Sequence, residues 1–342
     1  NRRTYRADRV VFGDNPDGPV DWEVPVMRIQ GTNGTVRAIL FGYACHGTVL
    51  CEYQWCGDYP GFAQAAVEEA YPGVNAMYFQ GCGADSNALP RRTVAFAQQY
   101  GSELAAAVKR TMTDPMKELS PTIVCDFREV ELELSPLPTR EVIAARLATE
   151  KADYVRRAEQ RWLDDIDAGK PLPTKHAYPV QLIRIGEQPL VALGGEVVAD
   201  YSINLKQMLG PDLFVMGYSN YLISYIPSVR VLREGGYEGD TSQAVYHHAA
   251  KWQESIEARI LNTARDLAAA NGLTPAGERM AEPAPALDYR IDVTKPREEF
   301  DGTFCWFHPR VASVPGAGKD GNPLLVMTLQ KHLLPQDDYY SG

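Results

Sequence analysis

The chain has 342 residues, of which 45% are hydrophobic and 23% are charged. This balance is typical of a globular protein and excludes a collagen, a coiled coil or a wholly disordered chain. The 34 basic and 44 acidic side chains give a net charge of −10, with no dense cluster of Lys and Arg. Because nucleic-acid binders present a basic face, we expect no nucleic-acid partner. No apolar run approaches the roughly 18 residues of a membrane-spanning helix, so we expect no transmembrane segment.

The first part of the chain alternates apolar runs with turn residues. Runs bounded by Gly and Asn predict strands, and Pro60 marks the first turn of a helix that Pro72-Gly73 ends. The expected elements are strands over 24–29, 36–44, 75–79 and 122–134, and helices over 60–71 and 91–112.

The second part continues the alternation. A long helix is expected to begin at Thr241 or Ser242 as its N-cap and to end at Gly272. The expected elements are a charged helix or helical pair over 139–168, strands over 180–185, 190–193 and 213–217, and helices over 196–209 and 243–270. This pattern predicts an α/β fold in which a mixed sheet is covered by helices.

The amino-acid composition of the chain changes after residue 272. Residues 273–300 are rich in Pro and Ala and are interpreted as a linker, and residues 301–342 as a β-rich segment with a strand over 324–329. We expect this segment to be the start of another module. The chain begins at Asn1-Arg2-Arg3 without Met, and we expect it to be a processed or excised piece of a longer protein.

Six cysteines in 342 residues do not make a disulfide scaffold, and the absence of a CxxC pair argues against a zinc knuckle or a thioredoxin motif. Cys51 and Cys56 can bridge in an oxidising compartment. The preferred interpretation is that the cysteines are small buried side chains.

Four loops that follow apolar strands carry polar groups, and ligands of α/β sheets bind beyond the carboxyl ends of strands. These loops span 45–48, 81–87, 194–196 and 218–225. His46 is either a metal ligand or base, or a histidine packed at a strand end. Glu196 is also explained as a helix cap, Tyr225 as a core residue and Ser86 as part of a turn. Their spacing matches no local zinc signature.

At these loops the sequence resembles the neutral (neutral/alkaline, non-lysosomal) ceramidase family. The family's blocks occur in the same order over residues 1–270. The matching segments are Ala44 to Thr48 with Cys56 to Ala63, Gly81 to Asn87, Gly194-Gly195-Glu196, and Gly217 to Tyr225 with Gly236 to Gly239.

The family consists of zinc amidases that cleave the N-acyl bond of ceramide, and the resemblance assigns site residues. It implies a Zn²⁺ site held by His46, Glu196 and Tyr225. It implies further active-site roles for Ser86 at the scissile group and for Tyr237 and Arg2. The resemblance thus implies a zinc-dependent hydrolase domain over 1–272, with its N-terminal part missing. The expected substrate is a small-molecule or lipid amide, and the expected location is outside the cytoplasm.

The chain departs from the family at several positions. The family's first zinc histidine would precede Asn1, and Gly47 stands where the family has Pro. His247 or His248 is a further candidate for the missing ligand, although both are expected at the start of a long helix.

Two other functions remain open at this stage. The first is a metal-free binding or inactive module on the same fold. The second is a serine hydrolase that uses Ser86 as nucleophile, His46 as base and an acid such as Asp58. Separately, residues 300–342 resemble the opening of a sialidase-type β-propeller.

Overall fold

The computed structural model describes residues 1–7, 9–283, 304–314 and 324–333. Asn1–Ala284 form one compact unit and Pro285–Gly342 a second one. The first unit opens with an antiparallel hairpin, β1 (Arg3–Arg6) and β2 (Arg9–Phe12). The next elements are β3 (Val26–Gln30), β4 (Val36–Tyr43), α1 (Asp58–Ala70), β5 (Asn75–Gln80) and α2 (Val94–Thr113).

Strands β3, β4 and β5 form a three-stranded sheet in that order, in which β3 runs antiparallel and β5 parallel to β4. Helices α1 and α2 each place small or apolar residues three or four positions apart, so each has a buried face. The two helices approach closely at Gly101, where a Cβ atom would lie 2.5 Å from Cβ of Phe62. Only glycine fits this helix contact without a shift.

The following elements are β6 (Ile123–Glu133), α3 (Arg140–Thr149), α4 (Asp153–Asp167), β7 (Lys175–Ile185), β8 (Gln188–Leu193), β9 (Glu196–Val197), α5 (Ala199–Leu209), β10 (Phe214–Met216) and β11 (Tyr225–Ile226). After these come α6 (Val229–Glu234), α7 (Gly236–Gly239), a 3₁₀ turn (Thr241–Tyr246) and α8 (Ser255–Ala270). A four-stranded sheet has the order β10-β8-β7-β6, with β8 and β10 parallel. The main core contains side chains of this sheet, α5 and α8, among them Leu182, Leu193, Leu205 and Ile260.

The two larger sheets meet through an apolar cluster from β3, β5, β8 and β10. At the carboxyl ends of β5 and β10, the Gly217 N–H donates to the Gln80 carbonyl at 2.9 Å. The parallel pairs β4–β5 and β8–β10 therefore end side by side. This arrangement brings together the four polar loops singled out in the sequence, and it matches the predicted mixed sheet covered by helices.

The charged region 139–168, predicted as one helix or a helical pair, is a pair of helices, α3 and α4. Two other predicted helices need correction. The helix predicted from residue 196 begins only at Ala199, because Glu196 lies in strand β9. The long helix predicted over 243–270 was wrong: a 3₁₀ turn ends at Tyr246, irregular chain follows, and α8 begins at Ser255.

The expectation of buried cysteines holds for Cys45 and Cys82 but was wrong for Cys51, Cys56 and Cys125, which are exposed. All five are free thiols, so Cys51 and Cys56 do not bridge in this structure. Among the described residues, no helix combines the length and apolar character needed to cross a bilayer.

In the second unit, β12 (Phe304–Val314) pairs antiparallel with β13 (Leu324–Leu333), and the strand predicted over 324–329 lies within β13. The predicted linker over 273–300 is described only as far as residue 283, and the remainder falls outside the described residues.

Candidate functional site

The candidate site lies where the two sheets end together. His46 follows β4, the loop 81–87 follows β5, and Glu196 follows β8 in the short strand β9. Strand β9 pairs in parallel with β11, and the register sets Glu196 directly beside Tyr225. Residues separated by 150 and 29 positions in the chain are thus brought to one edge of the fold.

The loop 81–87 is fixed between the two sheets by backbone hydrogen bonds. The Ser86 carbonyl accepts from the His46 N–H at 3.1 Å, and the Ala84 N–H donates to the Val197 carbonyl at 3.1 Å. The loop can approach this closely because a Cβ on Gly83 would lie 2.3 Å from the carbonyl carbon of Ala44. Glycine is therefore required where the loop crosses the end of β4.

His46 is the centre of the side-chain contacts. Its Nε2 lies 3.2 Å from the Tyr225 hydroxyl and 3.6 Å from Oε2 of Glu196. Its Nδ1 lies 3.0 Å from the hydroxyl of Tyr218, which donates to the same Glu196 oxygen at 2.9 Å. The Tyr246 hydroxyl donates to the other oxygen, Oε1. Both oxygens of one carboxylate are therefore held by phenols.

These contacts define which nitrogen of His46 carries the proton. Since the Tyr218 hydroxyl donates its one hydrogen to Glu196, its oxygen accepts a hydrogen bond from Nδ1 of His46. The assignment leaves Nε2 as an acceptor that faces Tyr225. Burial, and secondarily the positive charge of Arg2, lowers the pKa of His46 to about 3. The imidazole is consequently neutral at physiological pH.

Arg2 is buried against this cluster and held by charge. Its Nη2 donates to the Tyr225 hydroxyl at 3.1 Å, and its Nη1 to Oδ1 of Asn87 at 3.3 Å. Its Nε donates to Glu238 at 2.7 Å. Burial raises the pKa of the Tyr225 phenol despite the nearby guanidinium, so this hydroxyl is neutral in the structure.

Tyr237 borders the same cluster through its ring. The ring centroid lies 5.3 Å from that of Tyr225 and 5.2 Å from that of Phe12. The Arg2 guanidinium carbon lies 5.9 Å from the Tyr237 centroid, within range of a cation–π contact. The structure thus places the Tyr237 ring beside Arg2, and only this ring makes a described contact.

Ser86 has a buried hydroxyl that finds no hydrogen-bond partner among the residues that the structure describes. Ser86 and Asn87 line a cavity of about 590 Å³, a size within the range of small-molecule sites. The walls include Val20, Trp22, Val24, Ala88, Leu89 and Leu104. Asn87 lines this mostly apolar cavity and also accepts a hydrogen bond from Arg2, so the cavity lies next to the polar cluster, although Arg2, His46, Glu196 and Tyr225 do not line it.

Three atoms at the centre could hold one metal ion. Tetrahedral zinc with bonds of about 2.0–2.1 Å separates its ligands by ~3.3 Å. The distances from His46 Nε2 to Tyr225 and Glu196, 3.2 and 3.6 Å, are close to this separation. Within the described part of the chain, no group of three His, Cys, Asp or Glu side chains could hold a metal ion, so the donor set depends on the tyrosine.

The two other histidine candidates are engaged elsewhere. The His248 ring bonds the Gln243 side chain at 2.9 Å and stacks on His176 with centroids 4.3 Å apart. His247 lies at the end of the 3₁₀ turn in a left-handed backbone conformation. Among the described residues, no hydrogen bond or ion pair joins either ring to Glu196.

The arrangement does not assemble the serine-hydrolase alternative. The two nitrogens of His46 face tyrosines, and the Ser86 hydroxyl bonds neither of them. Asp58 accepts the backbone N–H groups of Leu50 and Tyr59. Ser86, His46 and Asp58 therefore do not form the hydrogen-bonded chain of nucleophile, base and acid that a catalytic triad requires.

Sequence reasoning missed four residues that complete the cluster. Two of them, Tyr218 and Asn87, lie in loops that the sequence had already singled out as polar. Tyr246 was assigned to a long helix, and Glu238 was noted only as part of a matching block. Nothing local in the sequence marks a tyrosine as the partner of a glutamate 50 residues earlier.

Comparison with known proteins identifies structural relatives. No family model and no curated protein matches the chain. The crystal structure of neutral ceramidase from Pseudomonas aeruginosa is similar over 79% of this chain and 50% of its own, with a TM-score of 0.54 and 15% identity. A structure described as ceramidase complexed with C2 matches 88% of this chain and 57% of its own, with a TM-score of 0.53 and 14% identity.

The similarity shows a ceramidase-like α/β fold, and the chain spans about half the length of these solved structures. At 14–15% identity it is a similarity of fold. Neither structure supports the predicted resemblance of residues 300–342 to a sialidase-type propeller.

Proposed function

We propose that the chain is a zinc-dependent hydrolase of the ceramidase type that cleaves a linear N-acyl amide. The observation that carries this proposal is the convergence of His46, Glu196 and Tyr225 within a fold similar to ceramidases. The three atoms are two neutral donors and one carboxylate, a ligand set that suits Zn²⁺. Export from the cytoplasm, which rests on the family resemblance alone, is part of the same proposal.

The residues around the proposed metal site have different roles in the proposed reaction. His46 Nε2, Glu196 and Tyr225 would hold the metal. When bound, zinc supplies Lewis-acid polarisation of a carbonyl and makes a water molecule more acidic. Arg2 presents a permanent positive charge beside Tyr225, where it would stabilise negative charge developing on the amide oxygen. Tyr237, whose ring packs beside Arg2, would donate to the same oxygen.

The substrate class follows from the cavity next to this centre. Its lining is mostly apolar and includes Ser86, whose buried hydroxyl has no hydrogen-bond partner among the described residues. An amide that carries an aliphatic chain satisfies both features, with the chain in the cavity and the amide at Ser86. A lipid amide is therefore the substrate that this geometry favours.

The test is hydrolysis of a short-chain fluorescent N-acyl sphingoid amide, measured together with zinc content by plasma mass spectrometry. We expect about one zinc per chain, loss of hydrolysis on treatment with a chelator, and recovery when zinc is restored. Binding of the amide without zinc or hydrolysis would favour the metal-free module. Chelator-resistant hydrolysis with a fluorophosphonate adduct on Ser86 would favour the serine hydrolase.

Replacing Ser86 with alanine separates its proposed role from any role in folding. Because the buried hydroxyl has no partner in the described part of the chain, Ser86→Ala should leave the free energy of unfolding unchanged or slightly higher. Hydrolysis should fall by about 10- to 100-fold, since a hydrogen bond to a group on which charge develops during the reaction is worth on the order of 1.5–3 kcal/mol. Urea unfolding and steady-state kinetics measure the two quantities. Unchanged kinetics would remove Ser86 from the reaction.

A further inference from the structure

We propose that Tyr218 is a positioning residue that holds His46 in the tautomer able to bind a metal through Nε2. The proposal rests on the proposed function, because it deepens the description of the same site. Its evidence is independent of the resemblance: the backbone conformation of Tyr218, its two hydrogen bonds, and the second phenol on Glu196.

The backbone at Tyr218 is held in an uncommon conformation. Its φ is +54°, in the left-handed region that bulky residues rarely adopt. The Tyr218 N–H donates to the Gly195 carbonyl at 2.9 Å, and the Ser219 N–H donates to the Leu193 carbonyl at 3.0 Å. These bonds tie the residue to the chain on either side of Gly194. Strained conformations of this kind cluster at functional sites, where the surrounding structure maintains them.

The hydroxyl of Tyr218 links two of the proposed ligands. It donates to Oε2 of Glu196 at 2.9 Å and accepts from Nδ1 of His46 at 3.0 Å. A metal-binding histidine commonly donates its other ring N–H to an acceptor, which fixes both the tautomer and the ring orientation. In this chain the acceptor is a phenol that is itself oriented by a second ligand.

The Tyr218 ring makes a second contact with the same histidine. It meets the His46 ring edge-on, with centroids 6.2 Å apart. Replacement by phenylalanine removes the hydrogen bonds and retains this ring contact.

Tyr246 provides an internal comparison. Its hydroxyl bonds Oε1 of Glu196, and no hydrogen bond of the described residues joins it to His46. Tyr246→Phe should therefore disturb the carboxylate without changing the tautomer of His46. Tyr218→Phe should affect both.

The experiment compares Tyr218→Phe, Tyr246→Phe and Tyr221→Phe with the wild-type chain. Tyr221 lies in the same loop with an exposed side chain and is the matched control. Zinc affinity is measured by competition with a chromophoric chelator. The tautomer of His46 is measured in the zinc-free protein from the imidazole ¹⁵N shifts. We expect zinc binding about 10- to 100-fold weaker in Tyr218→Phe, with proton density moved from Nδ1 towards Nε2.

The two readouts separate the two proposals. If the wild-type chain binds no zinc, the proposed function fails, whereas the ¹⁵N shifts still report whether Tyr218 sets the tautomer. If the wild-type chain binds zinc and Tyr218→Phe retains both the affinity and the tautomer, the positioning role is overturned alone. A tautomer change in Tyr246→Phe as large as that in Tyr218→Phe would also overturn it.

Discussion

Glu196→Gln should lower both the affinity for zinc and the rate of hydrolysis by more than about 100-fold. Loss of a side chain that only supports a metal ligand costs up to about 100-fold, and loss of a ligand should cost more. Glu196 supplies the only carboxylate among the three proposed ligands, and its Oε2 lies 3.6 Å from Nε2 of His46. The amide keeps the shape of the side chain but loses the negative charge that binds a divalent cation. Zinc content and the rate of amide hydrolysis, measured on one preparation, test the expectation.

The matched control for this variant is Glu69→Gln, since Glu69 is exposed on helix α1. It makes the same chemical change and should leave both quantities at wild-type values. Full activity without zinc in Glu196→Gln would exclude Glu196 as a metal ligand. Loss of activity with zinc retained would instead assign Glu196 a role in proton transfer.

The position of the site was predictable because it follows from the class of fold. Apolar strands followed by polar loops indicate an α/β sheet, and the carboxyl ends of parallel strands share one edge. The structure brings His46, Ser86, Glu196 and Tyr225 to that edge. Their chemical roles are not contained in this rule, and they came from the resemblance to ceramidases.

The local structure at Glu196 was not predictable in the same way. An acidic residue after Gly194-Gly195 is typical of a helix start, but here it lies in strand β9 because the chain pairs with Tyr225–Ile226. Gly195 has a φ of +72°, and a Cβ there would lie 2.5 Å from the Ser224 carbonyl oxygen. This tertiary contact, and not helix propensity, sets the backbone.

Tertiary contacts also outweigh helix propensity before helix α8, which begins later than predicted. The apolar spacing over 243–270 fits a helix, but Gln253 donates its N–H to the Glu133 carbonyl at 3.0 Å, and Leu134 pairs with Trp252. These contacts with the end of β6 hold the chain in an extended form. Tyr246 thereby lies in a short 3₁₀ turn from which it reaches Glu196.

Glu238 is buried between two arginines, and its replacement is expected to lower the stability of the fold strongly. Its oxygens accept from Arg2 Nε at 2.7 Å and Arg3 Nη1 at 2.5 Å, and all three side chains are almost fully inaccessible. Arg3 also pairs with Glu234 at 3.1 Å, whereas Glu238 is the one carboxylate paired with Arg2 among the described residues. Removing one partner of a buried ion pair leaves the other charge uncompensated, which typically costs about 3–5 kcal/mol. We expect Glu238→Gln to lower the free energy of unfolding by that amount, as measured by urea denaturation.

An exposed pair gives the control for this measurement. Arg140 and Asp167 form a close ion pair with both side chains about half exposed, so Asp167→Asn should leave the free energy of unfolding nearly unchanged. An equally small change in Glu238→Gln would show that the two arginines do not depend on this carboxylate. Because Arg2 also bonds Tyr225, the destabilised variant should lose hydrolysis more steeply than its folded fraction falls. The buried ion pair would then connect the stability of the fold to the geometry of the site.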